Sequence, residues 1–290
     1  MKALEVINLK KNYINPKDQN QNVQALKGLN FDIHAGEIFG FLGPNGAGKT
    51  TLISTITTLE KPTEGDVKVF GESVLHNPLK TKRSVGVVHQ EVINTGFFDI
   101  NEILEFQSGY YGILNNQDRI HFLMDRLALL PHKYKKVKQL SGGMKRRLMI
   151  AKALVHNPRL LLLDEPTAGV DVELRESLWR FVQELQAEGT SVLLTTHYLE
   201  EAESLCQRIA IINKGELHFL GTPNDVIKKY STKKIRIKFN NGDIKELICS
   251  AHEALNQILK TNNIDITSVF DIQMFEGKLE EAFTKVVNQQ

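Results

Sequence analysis

Residues Gly43, Pro44, Asn45, Gly46, Ala47, Gly48, Lys49 and Thr50 follow directly on the apolar run 38–42 and precede a helix-forming stretch over 51–59 that opens with Thr51. Glycines let a backbone curl until successive N–H groups point at one anion, and a helix start just beyond adds partial positive charge. The pattern GxxxxGK[ST] between a strand and a helix is a phosphate-binding loop. Lys49 is placed to bridge β- and γ-phosphates, and the Thr50 hydroxyl to ligate Mg²⁺. At ordinary residue frequencies the letters alone arise in about one chain of this length per hundred. The strand and helix around them are what make the reading specific.

The rest of the chain supplies the elements such a loop requires. Short extended runs at 4–9, 31–33, 38–42, 67–70 and 85–88 alternate with turn residues such as Gly28, Gly36 and Gly71. Helical spacing then appears in Ile103, Leu104 and Phe106 and in Leu123, Leu127 and Leu130, with Pro131 as a break. This predicts a helical insertion over about 91–158. The run 160–163 is apolar throughout, as a parallel strand buried on both faces would be. A helix over 172–188 stopping at Gly189, a strand over 191–195, a helix over 199–206 and a strand over 209–212 complete an α/β alternation.

Composition shifts after Gly221, Thr222 and Pro223. Alternating runs at 234–239 and 244–249 flank Asn240, Asn241, Gly242 and Asp243, a hairpin signal. A helix over 253–260, an extended stretch over 264–274 and a helix over 279–287 follow. The expected organisation is therefore residues 1–222 as one domain and 223–290 as a small α+β appendage, so that truncation after residue 222 should leave a folded core.

Several classes are excluded. The net charge is +2, too balanced to advertise a nucleic-acid surface, and no nucleic-acid partner is expected. No run approaches the roughly 18 apolar residues a spanning helix needs, and the start lacks the apolar core of a signal peptide. A cytoplasmic location is the expectation. Cys206 and Cys249 form no CxxC pair, and nine histidines show no HExxH spacing, so no transition-metal site is assigned.

A carboxylate-bearing segment complements the loop. The strand over 160–163 delivers Asp164 and Glu165 at its C-terminal end, where open α/β sheets bind ligands. Asp164 suits Mg²⁺, and Glu165 beside the γ-phosphate is a candidate general base for an attacking water. Ser141 caps a third feature, a helix that begins with Gly142 and Gly143 and runs on through Met144, Lys145, Arg146 and Arg147. Two helix starts are thus fit for phosphate, and whether they serve one nucleotide or two stays open.

Taken together, the loop at 43–51, Gln90 after a strand, Leu140-Ser141-Gly142-Gly143, Asp164-Glu165, Asp171 and His197 resemble the ATP-binding cassette ATPases over about residues 3–220. The resemblance implies a P-loop NTPase, a RecA-like core with an antiparallel β subdomain and a helical signature subdomain, using ATP and Mg²⁺. It implies that Tyr13 stacks on adenine, that Gln90 contacts Mg²⁺ or the lytic water, and that His197 hydrogen-bonds the γ-phosphate. Asp171 would link two sites across a head-to-tail homodimer, in which Ser141 and Gly143 meet the ATP of the opposite subunit. Met144, where the family usually has glutamine, the segment 195–203 and Leu279-Glu280-Glu281-Ala282-Phe283 look like the ABC-2 drug-resistance and polysaccharide export subclass. That subclass implies a separate integral-membrane permease docking near 90–111, and a place on the inner face of the membrane. A solute importer's ATPase is the alternative; an ABC ATPase acting on DNA or ribosomes would need coiled-coil arms or a second cassette, and neither is visible.

Overall fold

A computed structural model describes residues 1–14, 22–89, 96–167, 172–250, 253–275 and 277–288. Gln90 and Asp171 lie outside the described residues.

Two sheets face each other near the N-terminal half. An antiparallel sheet contains β1 (Lys2–Tyr13), β2 (Val23–His34), β4 (Glu64–Val69) and β5 (Glu72–Ser73), in the order β2-β1-β4-β5. The second contains β3 (Ile38–Leu42), β6 (Val85–Val88), β7 (Leu160–Asp164), β8 (Ser191–Thr196), β9 (Arg208–Asn213) and β10 (Glu216–Gly221), in the order β10-β9-β3-β8-β7-β6. All its pairings are parallel except β10 on β9.

The continuous apolar runs of the central strands serve two different cores. Phe39, Phe41, Leu160, Leu162 and Leu193 point toward the antiparallel sheet and α1 (Lys49–Ile56), meeting Leu4, Leu29, Phe31, Leu52 and Ile56. Ile38, Leu42, Leu161, Leu163, Val192 and Leu194 point the other way, onto a helical layer. With both faces covered, period-2 alternation gives no polar positions in the sequence. Between β4 and β6 lies the short α2 (Pro78–Ser84).

The helical layer contains α3 (Ile100–Tyr110), α4 (Gln117–Arg126), α5 (Gly142–Leu154), α6 (Val172–Ala187) and α7 (Leu199–Leu205). Asp99 and Glu102 form a reciprocal capping box that starts α3. Ser141 Oγ accepts from the Met144 N–H at 3.2 Å and starts α5. Phe106 does not join the core as its spacing suggests: it is exposed and meets Phe98 edge-on.

The break expected after residue 222 does not coincide with a break in the core. Val226 and Ile227 of α8 (Pro223–Tyr230), with Leu279, Ala282 and Val286 of α10 (Leu279–Asn288), belong to the same apolar cluster as Leu205, Ile209 and Ile211. Only the intervening segment has a core of its own. There β11 (Thr232–Phe239), β12 (Ile244–Ser250) and β13 (Val269–Phe275), ordered β12-β11-β13, place Ile235 and Ile237 on Ile258 and Leu259 of α9 (Leu255–Thr261). Ser231 and Gly277 abut where this unit leaves and rejoins the chain.

Candidate functional site

The loop after β3 is shaped by close approach. Gly48 has φ +113°, and a Cβ there would lie 2.7 Å from the Ala25 carbonyl and 2.8 Å from Leu26 Cδ2, so this position requires glycine. The hydrogen-bond ladder of α1 begins with Leu52 N–H on the Gly48 carbonyl at 3.0 Å. The N–H groups of Lys49, Thr50 and Thr51 therefore precede it, at the positive end of the helix. A turn at Lys214 and Gly215 braces the loop from outside, with Gly215 N–H donating to the Ala47 carbonyl at 3.0 Å.

These N-termini open onto a cleft of about 860 Å³ lined by Tyr13, Asn45, Gly46, Gly48, Lys49, Thr50, Thr51, Glu165 and Lys214. The aromatic, the loop and the carboxylate, far apart in sequence, are thus brought to one cavity. Tyr13 sits at its rim with Lys11 Nζ 5.0 Å from the ring centroid. Gly43 and Pro44 contribute carbonyls rather than walls: Lys49 Nζ donates to them at 2.8 and 3.2 Å. Ser141, Gly142 and Gly143 are not among its lining residues; they open α5 in the helical layer.

Lys49 is only 7% exposed, and its Nζ lies 3.9 Å from Glu165 Oε1. Burial holds its ammonium below the usual lysine range, while the carboxylates of Glu165 and Asp164 pull the other way. Asp164 is buried and accepts the Thr195 hydroxyl on Oδ1 at 2.6 Å. Glu165 adopts φ +46°, a left-handed conformation that costs a non-glycine residue on the order of 1–3 kcal/mol. Its N–H donates to the Thr195 carbonyl at 3.0 Å. His197 Nδ1 is 3.2 Å from Glu165 Oε2. An ionised carboxylate accepts only, so this contact is a hydrogen bond in the tautomer that carries the ring proton on Nδ1.

Hard-oxygen chemistry fits Mg²⁺ here. Thr50 offers an exposed hydroxyl and Asp164 a buried carboxylate, while no cluster of three or more His, Cys, Asp or Glu able to hold a metal exists among the described residues. Mg²⁺ is commonly held by one or two protein oxygens plus substrate phosphates rather than by an all-protein cage.

Two groups escaped the sequence reading. Glu201, buried, accepts Thr167 Oγ1 at 2.7 Å and Thr196 Oγ1 at 2.8 Å, tying the segment after Glu165 to the one before His197. Arg146 bonds to the chain around Glu165. Nothing in a single sequence separates these from solvated helix charges.

Fold and site define a P-loop NTPase. Residues 26–168 match the ABC transporter family. The chain is 34% identical over 271 residues to the linearmycin resistance ATP-binding protein LnrL of Bacillus subtilis, covering 91% of this chain and 87% of that one. It is 40% identical over 206 residues to the Nod factor export ATP-binding protein I of Burkholderia thailandensis, covering 70% and 68%. Among solved structures, an ATP-binding subunit of an ABC transporter superposes with TM-score 0.71 at 28% identity over 78% of this chain and 92% of that one. A dimeric ATP-binding cassette in a post-hydrolysis state with ADP and Pi gives 0.69 at 27% identity over 76% and 98%. The chain belongs to the ABC transporter family as an ATP-binding, ATP-hydrolysing subunit.

Proposed function

We propose that this chain is the MgATPase of an ABC exporter, acting as a homodimer on a separate integral-membrane permease at the inner face of the membrane. The observation that carries the hydrolytic part is the convergence of Lys49 and Glu165 on the loop cleft, with His197 against Glu165. The export part is supported by relatives named for drug resistance and Nod factor export.

In this reading the N–H groups at the start of α1 and Lys49 hold the phosphates, exchanging the Gly43 and Pro44 carbonyls for phosphate oxygens. Tyr13 gives the base an aromatic face; such stacking is worth about 1–3 kcal/mol per base. Thr50 and Asp164, with Gln90, would hold Mg²⁺, which when bound neutralises charge on the β- and γ-phosphates. Glu165 takes a proton from the water that attacks the γ-phosphorus as the bond to the β-γ bridging oxygen breaks. His197 steadies that carboxylate when its proton is on Nδ1, and donates to a γ-phosphate oxygen when the proton is carried on Nε2 instead. Ser141, Gly142 and Gly143, standing apart from this cleft at the head of α5, suit the nucleotide of a second subunit, with Asp171 linking the two sites.

In this reading the permease docks at a groove between the layers. A groove of about 460 Å³ is lined by Leu59, Lys82, Val87, Gln107, Tyr110, Tyr111, Met149 and Lys152, with Tyr110 82% exposed. Aromatic residues bared at a groove mark an interaction surface.

Glu165→Gln tests the assignment of the base. It should keep ATP affinity while hydrolysis falls by about 10²–10⁴-fold, read by phosphate release and calorimetry; wild-type turnover would sink it. Coexpression with a neighbouring permease gene, followed by ATP-driven uptake into inverted vesicles, tests export, and uptake only in the opposite orientation would contradict it.

A further inference from the structure

Arg146 stands on the first turns of α5, inside the helical layer, and is buried. Its guanidinium fork reaches main-chain oxygens on two strand ends. Nε donates to the Pro166 carbonyl at 2.7 Å, Nη1 to His89 at 2.7 Å, and Nη2 to Glu165 at 2.7 Å and to Asp164 at 3.4 Å. His89 follows β6 and immediately precedes Gln90 in sequence; the other three residues end β7 and begin the segment after it.

The Glu165 peptide is therefore held from two sides. Thr195 of β8 takes its N–H, and Arg146 of α5 supplies a donor to its carbonyl. A non-glycine residue keeps a left-handed conformation only while its surroundings over-determine it. Removing the fork takes away the restraint that α5 places on the Glu165 carbonyl, and with it part of what aims the carboxylate at Lys49 and His197. A lysine keeps the charge at this place but is a point donor, and cannot span carbonyls on separate segments as the planar fork does.

The geometry points to Arg146 as a positioning residue for hydrolysis: it fixes the aim of the Glu165 carboxylate, and makes that aim depend on how the helical layer sits against the strands. The inference rests on Glu165 being the base. It is distinct from phosphate binding, because the bonds Arg146 makes to the described residues go to strand ends.

The test uses the full chain with MgATP. Arg146→Lys should lower kcat roughly 10- to 100-fold, as small misplacements of a reacting group do, while KM and the calorimetric Kd for ATP stay within about threefold. In a Glu165→Gln background the same substitution should change the single-turnover rate no further, since a residue that acts through another gives non-additive losses. Additive loss in the double variant, or kcat, ATP affinity and melting temperature all falling together, overturns the proposal while leaving the base in place. Wild-type turnover in Glu165→Gln overturns the base assignment and this inference with it. If Arg146→Lys does not fold, Arg146→Gln is read by the same criteria; failure of both to fold overturns the positioning role in favour of a purely structural one.

Discussion

Lys49 keeps its charge in surroundings that disfavour it, and this has a measurable sign. Burial lowers its pKa in the free protein, whereas in the unfolded chain it titrates in the ordinary lysine range. Between those two values the unfolded state holds more protons, so this residue's contribution makes stability rise with pH across that window. Phosphates arriving beside the ammonium favour the charged form and raise the pKa again. ATP binding at a pH below the ordinary lysine range should therefore take up protons, with calorimetric heats that track the ionisation enthalpy of the buffer. Equal heats in two buffers of different ionisation enthalpy, or the same dependence in Lys49→Ala, would contradict this. The residue letters announced Lys49, Thr50, Asp164 and Glu165 because the loop pattern is contiguous. They were silent on Arg146 and Glu201, whose roles depend on carbonyls and hydroxyls from other segments that meet only after folding.

Among the elements, those buried on both faces were the most legible. The sequence bounds of β3 and β6 coincide with the observed ones, since an uninterrupted apolar run ends where the strand ends. By contrast β2 was foreseen only at 31–33, because Gly28 at φ +95° and the register shift beside it interrupt the alternation from Val23 onward. The edge strand β10 is half-exposed along its length and carries little apolar signal. Thr222 and Pro223 mark the expected domain boundary, yet with Asp225 they are the capping box and first turn of α8. Cap residues and linker residues are the same types, and only the burial of Val226 and Ile227 separates the cases. This reverses the expectation for truncation. Losing α8 and α10 exposes or deletes Val226, Ile227, Leu279 and Val286; at about 1.5–3 kcal/mol each the loss is of the order of a whole domain's stability. A chain ending at residue 222 should therefore lack a cooperative melt. Excising 232–276 and joining Ser231 to Gly277 through a short glycine-serine linker should retain both the melt and ATP binding. A cooperative melt in the truncated chain, or its loss in the excised one, would show that the core is divided differently.

At the scale of the molecule, the antiparallel sheet and α1 lie on one side of the central strands and the signature helix α5 on the other. The chain thus presents the loop cleft and the head of α5 from different layers, as the proposed head-to-tail pair requires. Glu165→Gln with ATP should elute as a dimer on size exclusion, and return to monomer when ATP is withdrawn; a monomer at saturating ATP would count against the shared interface. The two cores also carry a consequence for tolerance to mutation. A sheet that separates them acts as a septum, so damage on one side finds no shared neighbours on the other. Phe41→Leu and Leu163→Ala, on opposite sides, should therefore add in stability to within about 0.5 kcal/mol, whereas Leu163→Ala with Leu194→Ala, in one core, should depart from additivity. Substitutions can then accumulate on the helical side, where a permease would be met, while the nucleotide side stays as it is. One catalytic half could in this way remain constant across lineages whose transport partners diverge.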